Sequence, residues 1–415
     1  MIANYMRLAL EQAFYSIGVS RPNPAVGAVV VKDGIVVGRG RTQSPGNAHA
    51  EVMALRDAGE LARGAAIFVT LEPCCHYGRT PPCTKAIIDA GIAKVYFAHA
   101  DPNPLVRGKS RKVLEEAGIE VYEGVEACIA ASVEEIPEGC DNSAGNGCRV
   151  FGYGAPRNAH AGSKSGALSA QFINAPSETE IEGRAVFTEV EHYFEAYDYF
   201  VNNKKTFVEV KSAVTESGFI AGIDHDGSNF PLKITGQGAN CWNHELRAMS
   251  DAVLVGAGTL LTDNPSLDVR FASGNNPVKI VWAGHHEFTL DELSRLKIFN
   301  TSEIPIVFSC VAQTNIKESI VLSHDSFAEN WREMIDHLSA SGMHRLMVEP
   351  GAKLASLLFE NEGEPLWNRL DLWQSTNTST DASEGLPFPP LPRACVARES
   401  AMIGPDVLTV YYPVA

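Results

Sequence analysis

The chain has 415 residues, 45% hydrophobic and 20% charged, with a formal net charge of −16. That length predicts two or three domains with separate cores, and the acidity argues against a generic nucleic-acid binder, whose affinity comes from Lys and Arg neutralising phosphates. No stretch is apolar for long enough to cross a bilayer, the first residues do not read as a signal peptide, and nine scattered cysteines are not a disulfide framework, so a reducing cytoplasm fits.

Residues 4–17 place Met6, Leu10, Ala13, Phe14 and Ile17 on one helical face. Two β-branched runs, 26–31 and 35–37, flank Lys32-Asp33-Gly34 and predict a hairpin. Residues 49–59 read as a helix with Gly59 near its end. Residues 65–73 read as a buried strand that runs into a turn. A helix follows over 81–91, opening with proline and closing with glycine. A strand over 94–101 and a helix–turn–strand over 110–124 complete this part. Strands that alternate with helices predict an α/β layered fold with much of the sheet parallel.

The pattern breaks over 139–185, which is rich in Gly, Ala, Ser and Asn without a sustained period. A second α/β pattern begins near 190. Strands are predicted at 206–214, 251–259, 277–284, 304–310, 344–351 and 406–413. Helices are predicted at 240–250, 331–342 and 352–363, and 374–393 is loop-like. The expected domains are therefore 1–138 and 190–415, with 139–189 as a linker or irregular insertion.

Three residues of the first pattern carry its chemistry. His49-Ala50-Glu51 opens a helix, Cys74 follows Pro73 after a strand, and Cys83 opens the next helix. Zinc deaminases carry H-x-E and then P-C-x-x-C, with the glutamate as proton carrier rather than ligand. Here eight residues separate the two cysteines instead of two. One imidazole and two thiolates still make the set of a catalytic zinc, which keeps its fourth position for water. A helix start lowers a thiol's pKa, which favours Cys83 as thiolate. Glu51 is the candidate general acid–base. A structural zinc with Cys75 or His76 as a fourth ligand is the competing reading, and two unrelated buried cysteines is a third.

The stretches RPNPAVGAVVV, HAEVMAL, VTLEPCCHYGRTPPC and ADPNPLVRGK together resemble the deaminase domain of the bifunctional riboflavin-biosynthesis deaminase/reductase, the RibD family. The resemblance covers 4–125 and includes the long loop between the cysteines. It implies a cytidine-deaminase-like three-layer domain with zinc on His49, Cys74 and Cys83 and Glu51 as proton donor. It also implies Asn23 as a substrate contact and Arg79 facing the ribose phosphate. The blander readings are turn formation for Asn23 and solvated surface for Arg79.

Residues 206–413 resemble, less closely, the same family's reductase domain, which is dihydrofolate-reductase-like and uses NADPH. The matching segments are ELRAMSDAVLVGAGTLLTDNPSLDVR and LMVEPGAKLASLL. The resemblance implies cofactor contacts at Ala213, Thr235, Thr259, Asp263 and Gly351. It implies substrate contacts at Arg247, Leu267, Arg270 and Glu349. Gly256 and Gly258 suit a close backbone approach. The family pattern is broken at Ser217, where an acid is usual, at Lys233, where tryptophan is usual, and at Pro350, which removes an N–H donor. These departures leave open a non-catalytic second domain that binds substrate or dimerises.

The resemblance implies hydrolytic deamination of a phosphoribosylaminopyrimidine, then reduction of its ribosyl group to ribityl. A small-molecule substrate, no nucleic acid or membrane partner, and a homodimer are the expected associations. A nucleic-acid base deaminase would need a basic groove, and the net charge of −16 opposes it.

Overall fold

The computed structural model describes residues 3–78, 80–133, 177–224, 226–361, 363–376, 385–392 and 394–414. The chain forms two compact units. The first takes, among the described residues, 3–13, 26–133 and 177–194, and the second takes 14–25 and 195–414.

The first unit is built on a five-stranded sheet. Its strand order is Ile35–Arg41, Gly27–Lys32, Ala66–Leu71, Lys94–His99, Glu120–Glu123. Gly27–Lys32 pairs antiparallel with both its neighbours, and the last three strands run parallel. Both faces are covered, as the nearly unbroken apolar run GAVVVK requires. A Cβ at Gly27 would fall 1.8 Å from the Ala9 carbonyl oxygen of the helix Tyr5–Phe14. Neighbouring strand residues face opposite ways, and Ala28 lies opposite Gly40. A Cβ at Gly40 would fall 2.1 Å from the Ala50 carbonyl oxygen of the helix Ala50–Ala58. One helix therefore lies on each face, which makes three layers.

The second unit holds a nine-stranded sheet among the described residues. Its order is Ser319–Val321, Ile306–Ser309, Val278–Gly284, Ala252–Gly256, Arg345–Val348, Phe207–Val214, Arg369–Ser375, Asp406–Pro413, Cys395–Ile403. The first seven strands are parallel, and Asp406–Pro413 pairs antiparallel with both its neighbours, Arg369–Ser375 and Cys395–Ile403. Trp282, Trp331, Met334, Leu346 and Leu370 centre its core. Asn229–Phe230, Phe219–Ile223 and Gly385–Pro387 form a separate small sheet.

The structure alters several sequence expectations. Of the expected linker 139–189, residues 139–176 lie outside the described residues. From Glu178 to Asn203 the chain is one helix, divided between the units after Phe194. Val186 and Val190 are fully buried there. The expected strand 251–259 ends at Gly256, and Ala257–Asp263 is already helical. The stretch 374–393, expected as loop, contains the end of the strand Arg369–Ser375 and the strand Gly385–Pro387, with 377–384 outside the described residues.

Candidate active sites

In the first unit His49 is the N-cap of the helix Ala50–Ala58, and Glu51 sits in its first turn. Cys74 follows the strand Ala66–Leu71, and Cys83 opens the helix Cys83–Asp89. Their donor atoms converge. His49 Nδ1 lies 3.2 Å from Cys83 Sγ and 3.6 Å from Cys74 Sγ, and all three ligand atoms lie within 4.8 Å of one another. Bonds of about 2.3 Å to sulfur and 2.0–2.1 Å to nitrogen on a tetrahedral ion place such atoms roughly 3.6 Å apart. The donor set therefore fits zinc in both chemistry and spacing. Cys75 and His76 fall outside the cluster, and the Cys75 thiol lies 3.9 Å from the Leu105 carbonyl oxygen. Among the described residues no fourth ligand joins the three, as a closed structural site would need.

The electrostatics divide the two thiols. Hydrogen bonds from Cys83 and from His49 pull the Cys74 thiol down to about 4. One of these bonds is the Cys83 backbone N–H at 3.3 Å. Cys83 moves the other way, pushed up by its hydrogen bond to Cys74 and by burial. Glu51 is 4% exposed. Burial, then the Cys74 charge, raise its carboxyl to about 7, a range suited to giving and taking a proton.

Two other expectations for this unit fare differently. Arg79 lies outside the described residues. Asn23 belongs to the segment 14–25, grouped with the second unit, and its N–H closes a turn on the Ser20 carbonyl at 2.9 Å. Sequence reasoning passed over Glu72. Its buried carboxylate accepts from Gly108 N at 3.0 Å, Ser110 N at 3.2 Å and Ser110 Oγ at 2.7 Å. It thereby fixes the loop 101–110. Its place in Leu-Glu-Pro-Cys, two residues before a ligand, was the available signal.

The second unit contains a cavity of about 1180 Å³ at the carboxyl ends of its parallel strands, where open α/β sheets bind ligands. Ala213, Thr259, Asp263, Glu349 and Gly351 line it, and so does Lys211. A Cβ added at Gly258 would meet nothing within 4 Å, so the backbone is open to a ligand there. Gly351 caps the helix Ala352–Phe359, whose start favours anions. A large cavity with an open glycine and a helix start fits a dinucleotide phosphate.

The remaining expected contacts are not in the lining. Thr235 is displaced by its neighbour Ile234, Leu267 is 1% exposed with a left-handed φ of 57°, and Arg270 is exposed. The Arg270 N–H donates to His244 Nδ1 at 3.0 Å. Arg247 is buried and does not open to the cavity. Its guanidinium grips Glu349 through two bonds of 2.7 and 2.9 Å and donates to the Asp268 carbonyl at 3.2 Å. That fork, with Lys211 beside it, holds the Glu349 carboxyl below its ordinary value against burial. Arg247 thus positions Glu349, where a substrate contact of its own was expected.

A three-layer unit with one imidazole, two thiols and a buried carboxyl is of the zinc deaminase class. A parallel-stranded unit with a long cavity across its strand ends is of the nucleotide-dependent reductase class. Residues 2–99 match the family model "Cytidine and deoxycytidylate deaminase zinc-binding region", and residues 206–363 match "RibD C-terminal domain". Riboflavin biosynthesis protein RibD of Aquifex aeolicus is 34% identical over 86% of this chain and 83% of its own length. The chloroplastic riboflavin biosynthesis protein PYRD of Zea mays is 50% identical over 32% of this chain and 34% of its own length. A crystal structure from Thermotoga maritima, a diaminohydroxyphosphoribosylaminopyrimidine deaminase/5-amino-6-(5-phosphoribosylamino)uracil reductase, aligns over 99% of this chain and 97% of its own. It does so with a TM-score of 0.64 and 27% identity. The chain belongs to the RibD family of riboflavin biosynthesis. It carries the family's zinc-binding deaminase domain and its NADPH-type reductase domain.

Proposed function

We propose that this chain deaminates 2,5-diamino-6-(5-phosphoribosylamino)pyrimidin-4(3H)-one and then reduces the ribosyl group of the product to ribityl. The observation that carries the first step is the convergence of His49, Cys74 and Cys83 beside the buried Glu51. These three side chains would hold zinc, which, when bound, makes a water acidic enough to lose its proton near neutral pH. Glu51 takes that proton and gives it to the ring nitrogen, then carries the water's second proton to the departing amine. Water's oxygen stays on the ring carbon, and ammonia leaves. In the second step NADPH, when bound, supplies a hydride. Ala213 and Gly351 would hold the cofactor, and Glu349, oriented by Arg247, would hold the sugar.

The division of labour follows the chain, with deamination before 138 and reduction after 190. A homodimer is the assembly that the family resemblance implies, and light scattering tests it.

The test of the first step is Glu51→Gln. Ammonia release should be lost while zinc stays bound. Activity that survives this change would show that Glu51 does not carry the proton.

One observation favours a second reading, in which the second unit binds without reducing. Both arms of Arg247 are spent on Glu349, and Pro350 removes an N–H next to it. Calorimetry separates the two readings. A folded protein that fails to bind NADPH supports the second.

A further inference from the structure

We propose that His285, His286 and His324 form the subsite that distinguishes the phosphorylated from the unphosphorylated dinucleotide, by contacting the extra phosphate on the adenosine ribose. This rests on the reading above, that the second unit's cavity holds NADPH.

The cavity's lining follows the sheet. It touches the carboxyl ends of six adjacent parallel strands: Phe207–Val214, Arg345–Val348, Ala252–Gly256, Val278–Gly284, Ile306–Ser309 and Ser319–Val321. Strands lie 4.7–4.9 Å apart, so five steps span about 24 Å. The two ends differ in chemistry. At the first, Lys211 and the Arg247-held Glu349 put charge around a site for reaction. Between them, Gly258 and the helix start at Gly351 leave open backbone suited to a pyrophosphate. This order leaves the adenosine for the last three strands.

That far end has an apolar floor and a polar rim. Trp282, Leu322 and Phe327 form the floor, with the Trp282 and Phe327 rings 5.2 Å apart, a surface suited to a flat base. The rim carries His285, His286 and His324. Besides Lys211, the lining holds one lysine among the described residues, Lys353, on the helix that starts at Gly351. An arginine commonly takes the extra phosphate of this cofactor, whereas the loops that follow Val278–Gly284 and Ser319–Val321 offer imidazoles as donors.

Their settings suit that task. His286 Nε2 lies 3.3 Å from Glu292, and His324 Nε2 lies 3.1 Å from Glu333. Each carboxylate fixes one ring nitrogen and leaves Nδ1 uncommitted among the described residues. His285 is exposed and makes no ion pair with a carboxylate among the described residues. Asp325 lines the same end. A carboxylate there suits a free ribose hydroxyl instead, which makes the outcome a real choice between two ligands.

The experiment is calorimetry on the full chain with four probes: NADP+, NAD+, 2′,5′-ADP and 5′-AMP. The wild type should bind NADP+ and 2′,5′-ADP more tightly than NAD+ and 5′-AMP. His285→Gln and His324→Gln should each weaken the two phosphorylated probes about tenfold, the worth of one hydrogen bond to a charged group. Binding of NAD+ and 5′-AMP should not change, and this also reports that the variants are folded. Equal binding of all four probes by the wild type would overturn the proposal. So would parallel losses for phosphorylated and unphosphorylated probes, or no loss at all. In those cases the reductase reading survives. A wild-type chain that binds neither dinucleotide would overturn that reading, and this inference with it.

Discussion

Gly40→Ala should disable the zinc site from the far side of a helix. Gly40 lies on the strand Ile35–Arg41, against the helix whose N-cap is His49 and whose first turn holds Glu51. An alanine Cβ would lie 2.1 Å from the Ala50 carbonyl oxygen and 2.3 Å from the Ala54 nitrogen. Carbon and carbonyl oxygen ordinarily approach to roughly 3.3 Å. Both clashing atoms are backbone, so no rotamer change relieves them, and the helix must retreat by about 1 Å. Metal–ligand distances hold to within about 0.2 Å, so His49 would leave the set that Cys74 and Cys83 complete. Overpacking of this kind costs about 1–3 kcal/mol, and a misplacement of about 1 Å can cost about a hundredfold in rate. Zinc content, urea denaturation and ammonia release measure the three consequences. Gly258→Ala is the control, since its new Cβ meets nothing within 4 Å and zinc content should not change. A Gly40→Ala protein with full zinc, unchanged stability and normal ammonia release would refute the reasoning.

Other outcomes follow from the second unit's buried charges. Burial, then the charges of Arg247 and Arg270, lower the His244 imidazole to about 4, whereas in an unfolded chain it titrates near 6.5. Below about 6.5 the unfolded chain takes a proton that the folded state refuses, so stability is full above that pH and falls as pH drops toward 4. His244→Gln should flatten that part of the stability–pH curve, and parallel curves for variant and wild type would contradict this. Arg369 bridges Glu209, Asp371 and Glu195 at 2.8–3.2 Å, and both Glu209 and Asp371 are 0% exposed. Arg369→Met should therefore cost about 3–5 kcal/mol in urea denaturation, the penalty for stranding buried charge. A loss below about 1 kcal/mol would place the network among surface-like pairs.

The first unit was legible because its chemistry is local in sequence. His49 and Glu51 share one helix start, each cysteine stands at the edge of an element, and the apolar runs have strand length. Gly38 and Gly40 also carried a readable signal that was not used. They alternate on one face of a strand and meet Ala54 and Ala58 on the helix, a small-residue seam spelled out in GRGR and ALRDA. The strand Arg369–Ser375 was not recognised. Arg369 and Asp371 are residue types that are mostly exposed, yet both are buried because Arg369 pairs with Asp371 and with Glu209 on the neighbouring strand. The helix Glu178–Asn203 was partly assigned to a linker. Gly183 reads as a break, but it permits close packing on Ile129, whose Cα would lie 2.5 Å from an added Cβ. Arg247 exposes the limit of motif matching. The resemblance implies that it contacts substrate, and only the fold shows that its fork grips Glu349.

The most direct test of the account is the mass of the product formed when the zinc-loaded chain meets the diaminopyrimidine phosphoribosyl substrate and NADPH. The account predicts a product that has lost its amine and carries a ribityl chain, with one NADPH consumed per ammonia released. A deaminated product whose ribosyl group is unreduced would contradict the second activity. An unaltered substrate, with zinc bound, would contradict the central assignment of His49, Cys74, Cys83 and Glu51.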